Sequence, residues 1–161
     1  MESDAPFEDK NIFSNVNIEN FLHKHNISAN IITLKELNEN IDNAEKSCII
    51  FTGDEKDEYN NGYSKHWLGL YGDYLFDSYG YQKDYKLPSS LSFVKTYPSR
   101  LQEFDSVVCG EYVCCFLLFC NKIKKDNNSQ IGKDFSLYFG FSTNRKENDN
   151  IVIKETHNVK A

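Results

Sequence analysis

Between Val107 and Ile123 the chain reads V-V-C-G-E-Y-V-C-C-F-L-L-F-C-N-K-I, an apolar run of helical length with few polar interruptions. It predicts a buried helix with Cys109 in its first turn, entered from a polar loop between Glu103 and Ser106. Ser47 to Thr52 (S-C-I-I-F-T) is continuously apolar and reads as a central strand. Asn17–His25 predicts a short helix and Thr33–Ile41 another, opened by Thr33 as a cap with Glu36 three residues later. Residues 1–15 read as loosely ordered and Gly53–Ser64 as a long acidic loop. Gln130–Phe141 predicts a helix, and Ile151–Ile153 admits helix or strand.

Lys65 to Tyr81 (K-H-W-L-G-L-Y-G-D-Y-L-F-D-S-Y-G-Y) carries the most specific geometry. Two aromatic-rich strands flank Gly72-Asp73, and glycine first in a two-residue loop suits a type II′ hairpin turn. Counting outward, Tyr71 faces Tyr74, Leu70 faces Leu75, Leu68 faces Asp77 and His66 faces Tyr79. His66 and Asp77 then lie on one side as diagonal neighbours, roughly 7–8 Å apart at the backbone, a gap their side chains can bridge. One residue more or less in the turn would send Asp77 to the other face. A surface histidine and an aspartate that ends its strand are the plainer alternatives.

A length of 161 residues suits a single domain, 1–161, with its core over about 47–125. The net charge of -6 argues against a nucleic-acid footprint, and Lys122 to Lys125 read as the solvated end of a helix. The cysteines are Cys48, Cys109, Cys114, Cys115 and Cys120. An odd number, four of them on one predicted helix, is ill suited to a disulfide framework, so a reducing compartment is expected. Without a C-x-x-C pair, structural zinc is not expected. Met1–Asn11 begins acidic and does not read as a signal peptide, and the longest strictly apolar run is too short for a bilayer.

Cys109 at a helix start sees free backbone N–H groups and the positive end of the helix dipole, both of which favour thiolate. Gly110 removes the side chain beside the sulfur, which would let another molecule's backbone approach. Thiol, imidazole and carboxylate together make the set used in covalent catalysis at a carbonyl. Gln102, seven residues before Cys109, would donate to the developing oxyanion beside the Cys109 amide. By spacing alone it is equally an ordinary surface glutamine.

His66-Trp67, then Phe76-Asp77-Ser78-Tyr79-Gly80, then Gln102 with Cys109-Gly110-x-Tyr112-x-Cys114 resembles the adenovirus-type cysteine proteases. The pattern looks most like the versions in Polinton/Maverick transposons, adintoviruses and virophages, and more distantly like SUMO-specific proteases. The resemblance covers roughly Ser47 to Lys125, and Glu147-Asn148-Asp149-Asn150 is similar to part of the last helix of the mobile-element versions. It implies an α+β fold in which a central helix carrying the nucleophile packs on a mostly antiparallel sheet. It further implies Cys109 as nucleophile, His66 as general base and acid, Asp77 as orienting acid and Gln102 as oxyanion donor. Trp67 and Gly110 would line a narrow channel for glycines, although packing serves equally well for Trp67. The implied activity is thiol endopeptidase cleavage of precursor capsid or core proteins at glycine-containing sites, within host cytoplasm, nucleus or virion. A ubiquitin- or SUMO-deconjugating isopeptidase and an inactive peptide-binding relative are the alternatives. Adenovirus enzymes have glutamate where Asp77 stands, and they use a disulfide-tethered peptide and DNA as activators. Nothing here matches the tethering cysteine, so no cofactor and no DNA is carried over. A monomer acting on protein or peptide, with no membrane partner, is expected.

Overall fold

The computed structural model describes residues 13–39, 46–52, 66–80, 87–103 and 106–157. In order these form α1 (Asn15–Lys24), β1 (Asn30–Thr33), α2 (Leu34–Glu39), β2 (Ser47–Phe51), β3 (Trp67–Tyr71), β4 (Tyr74–Phe76) and β5 (Ser92–Phe93). Then come α3 (Cys109–Leu118), a π-helical continuation (Phe119–Lys124), α4 (Ile131–Phe139) and α5 (Arg145–His157). The fold is α+β. The acidic loop at 53–64 and residues 1–12 of the expected loose N-terminal segment lie outside the described residues. Residues 13–15, by contrast, are built into the fold: Phe13 is buried, and Ser14 caps α1 through a reciprocal capping box with Asn17.

The five strands form one sheet in sequence order. β2–β3 and β3–β4 pair antiparallel, whereas β1–β2 and β4–β5 pair parallel. The sheet is therefore mixed, not mostly antiparallel as expected. The reason is two short strands that carry little sequence signal. β1 is four residues wedged between two helices, and the crossover through α2 returns the chain parallel to it. β5 is two residues long.

The hairpin has the predicted register, with Tyr71 opposite Tyr74 and Leu70 opposite Leu75. Gly72 sits at φ 62, as the first position of a type II′ turn requires. The predicted cap of α2 is present: Thr33 Oγ1 accepts from the Glu36 N–H at 3.1 Å, and the Thr33 N–H donates back to Glu36 Oε1 at 2.8 Å. The Ile151–Ile153 stretch is helical, inside α5.

Both faces of the sheet are covered. Cys48, Ile50, Leu68, Leu70 and Leu75 point one way and pack with Leu37 of α2. Ile49 and Phe76 point the other way, into the larger core around α3. All ten residues of α3 are buried, as its nearly all-apolar sequence requires. Its approach to β3 is set at Gly69, where a Cβ would lie 3.1 Å from Val113 and 3.3 Å from Phe116. Phe116 stacks on Phe76 with ring centroids 4.8 Å apart, and Phe135 of α4 meets both rings edge-on. A glycine in a strand thus seats the helix that carries Cys109. α3 starts at Cys109 rather than Val107, because Val107 is exposed and Val108 has non-helical ψ.

Candidate active site

Cys109 is the first residue of α3, His66 immediately precedes β3, and Asp77 immediately follows β4. Strict alternation would turn His66 and Asp77 toward the Leu68–Leu70 face, away from α3. The β3–β4 ladder ends at Gly69 and Phe76, however, so both residues lie beyond it. Asp77 leaves the strand at once in a tight turn, with its Oδ1 accepting the Tyr79 N–H at 2.9 Å and its carbonyl accepting the Gly80 N–H at 2.8 Å. The three side chains therefore meet at the end of the sheet, where the start of α3 arrives.

His66 Nε2 and Asp77 Oδ1 are 2.8 Å apart, with both side chains buried. The Cys109 side chain lies near enough to the imidazole to act on its charge. Burial alone would disfavour the charged ring. It is outweighed by the negative Cys109 sulfur and by hydrogen bonds to Asp77 and Cys109, which raise the His66 pKa to about 10. The ring is thus held as imidazolium at neutral pH. Tyr79 packs on the His66 ring at a centroid distance of 5.0 Å, and its hydroxyl donates to the Ser106 carbonyl at 3.1 Å. Asp77 Oδ2 is buried without a hydrogen-bond partner among the described residues.

Gln102 is fully buried beside this set. The Ser78 hydroxyl donates to its Oε1 in a short hydrogen bond. Its Nε2 donates to the Ser106 carbonyl at 3.1 Å and to Ser106 Oγ at 3.0 Å. The Leu101 and Gln102 backbone N–H groups both donate to the Ser78 carbonyl. Gln102 is therefore docked against the turn that carries Asp77. Gly80 permits this docking: it sits at φ 76, and a Cβ there would lie 1.8 Å from the Ser99 carbonyl oxygen. To serve an oxyanion, the Gln102 amide has to exchange a Ser106 contact for the new acceptor. Val108 at the N-cap has no side chain able to accept, so the first-turn N–H groups of α3 have no side-chain cap.

Trp67 is half-buried, with its ring 4.8 Å from that of Phe51. Gly110 is buried, and a Cβ there would meet Ile18, the Phe13 carbonyl and Trp67, each at 3.5 Å. Its missing side chain is thus matched by this chain's own N-terminal segment and Trp67, not by open space.

Ser78, Tyr79 and Ser106 complete the arrangement, and the sequence reading assigned them no role. Adjacency to Asp77 was the available signal for the first two; for Ser106 there was none. The five cysteines are free thiols, and burial pushes the thiols of Cys114, Cys115 and Cys120 well up. Among the described residues no cluster of His, Cys, Asp and Glu has the geometry to hold a metal ion, and no helix is long and apolar enough to cross a membrane. Comparison of the chain with family models, with curated proteins and with solved structures finds no match in any of the three.

Proposed function

We propose that the protein is a cysteine endopeptidase of the adenovirus type, acting through a thioester on precursor proteins at glycine-containing sites. The observation that carries this is the buried Asp77–His66 hydrogen bond at 2.8 Å, with the Cys109 side chain near enough to the same ring to raise its pKa. The His-Trp, Asp, Gln and Cys-Gly motifs in that order add to it.

The Cys109 thiolate adds to the scissile carbonyl carbon, and the C=O π electrons move to oxygen. The oxyanion is met by backbone N–H at the start of α3 and by the Gln102 amide once it releases Ser106. As the tetrahedral species collapses, the C–N bond breaks and His66 gives its proton to the departing amine. A thioester on Cys109 remains. Water then adds to the thioester carbonyl while His66 takes its proton, and the C–S bond breaks to restore thiolate and imidazolium. Asp77 keeps Nε2 engaged, so the proton exchanged with substrate passes at Nδ1.

The test is a peptide-library digest with the native chain and Cys109→Ala side by side. Cleavage by the native chain alone, clustered at glycine-containing sites, is the expected result. Cleavage surviving in Cys109→Ala would remove the assigned nucleophile. Selective cleavage of ubiquitin- or SUMO-linked fluorogenic substrates, with no endopeptidase activity, would replace precursor maturation by deconjugation.

A further inference from the structure

Gln102 is gripped from two sides, and only one of them belongs to the hairpin. On the far side stands α5, whose Asn148 and Asp149 are both buried. Asn148 Nδ2 donates to the Leu101 carbonyl at 3.1 Å and to the Ser142 carbonyl at 2.7 Å. Asp149 Oδ1 accepts the Glu103 N–H at 3.4 Å and the Tyr112 hydroxyl at 2.7 Å. Ser106, the residue that holds the Gln102 amide, donates its hydroxyl to the Glu103 carbonyl at 3.2 Å and so ties that amide to the same backbone segment. Tyr112 has one phenolic proton and two acceptors in reach, Asp149 and, at 3.1 Å, the Leu101 carbonyl. The shorter contact, to a carboxylate, takes that proton, which leaves the Leu101 carbonyl to Asn148. The residues before and after Gln102 are thus each tied to α5. Tyr112, one turn beyond Cys109, ties the same carboxylate to the nucleophile's helix.

From this we infer that Asp149, with Asn148 beside it, is a positioning residue that sets the Gln102 segment in register with the start of α3. It touches no reacting atom; it acts through Glu103 and Tyr112. The inference rests on the peptidase proposal for its consequence, and on the hydrogen bonds alone for its geometry. A misplaced oxyanion donor affects only steps that build negative charge on a carbonyl oxygen. Alkylation of Cys109 by iodoacetamide builds none, because the thiolate displaces iodide at a saturated carbon.

Asp149→Ala should lower kcat by about 10²-fold, with KM little changed. It should weaken binding of a peptide aldehyde, whose adduct carries the oxyanion, by a similar factor. The iodoacetamide rate at Cys109 should stay as in the native chain. Asp149→Asn keeps an acceptor oxygen at the same place and should recover most of the loss. Gln102→Ala combined with Asp149→Ala should be no worse than Gln102→Ala alone, since both remove one function. Parallel loss of alkylation and turnover, or full additivity in the double variant, would overturn the inference. Amide hydrogen exchange provides a readout independent of turnover. Faster exchange at Glu103 in Asp149→Ala, with α3 unchanged, supports the clamp even if the native chain cleaves no peptide, in which case only the peptidase proposal fails. Unchanged exchange at Glu103 sinks the clamp itself.

Discussion

His66 carries the charge balance of the site. Its imidazolium is stabilised by the Cys109 sulfur and Asp77 against the burial that opposes it. Because the folded-state pKa is raised, the stability this pair contributes is fully present below 6.5 and is lost as pH rises through about 10. Turnover should fall over the same upper limb, because a neutral ring has no proton for the leaving amine. In Cys109→Ala the sulfur's charge is gone while the burial stays, so the His66 pKa should drop. Ring signals of His66 followed by NMR through a pH titration measure both. A native ring that titrates at 6.5 would show that no thiolate stands beside it.

Two elements near the site carry constraints of their own, one a backbone approach and the other a buried side-chain contact. The turn after β4 brings Gly80 under the Ser99 carbonyl at positive φ. Gly80→Ala should destabilise the fold by more than the ~1–2 kcal/mol that a left-handed residue costs, because the Cβ also has no room. A denaturant midpoint close to that of the native chain would show that the turn relaxes freely. The second element is α3, which buries Glu111 two residues after Cys109. Its Oε2 meets His157 Nε2 of α5 at 2.7 Å. Burial raises the carboxyl above its ordinary 4.5, while His157 pulls it back in part and Asp149 adds to the rise. A raised carboxyl pKa favours the folded state below 4.5, and that contribution is lost as pH rises through the raised value. Glu111→Gln cannot ionise. The native chain should therefore lose stability relative to this variant as pH rises from 4.5 toward neutrality, read from denaturation midpoints across that range. A constant difference would mean that Glu111 titrates as it does in the unfolded chain.

Across the whole molecule, five free thiols are buried, four of them in α3 and its continuation and Cys48 on the opposite side of the sheet, yet only one stands beside an imidazolium. Thiolate fraction governs alkylation, and burial keeps Cys114, Cys115 and Cys120 protonated. Cys48 is fully buried in β2, so access excludes it. Native-state labelling with iodoacetamide at neutral pH, mapped by mass spectrometry, should modify Cys109 first and selectively. His66→Ala should remove that preference. Equal labelling of several cysteines would mean that the core opens as a unit. The same interior is closed by both ends of the described chain: Phe13 lies 5.1 Å from the ring of His157, and its carbonyl packs on Gly110.

Local pattern by itself determined the buried helix with Cys109 in its first turn, the central strand at 47–51, the capped helix after Thr33 and the Gly72-Asp73 hairpin with its register. These depend on near-neighbour periodicity and turn chemistry, which a sequence states directly. His66 and Asp77 were legible as a pair for that reason. Their meeting with Cys109 was not, because simple alternation points them to the wrong face; Asp77 escapes it through the tight turn that follows β4, and the arrival of α3 beside His66 is a long-range contact. The parallel pairing of β1 and β5 escaped because two- and four-residue strands carry almost no periodicity. The Ser78 and Ser106 contacts to Gln102, and the reach of Asn148 and Asp149 to its flanks, join segments distant along the chain. No local spacing encodes such contacts, and packing of α5 against α3 decided them.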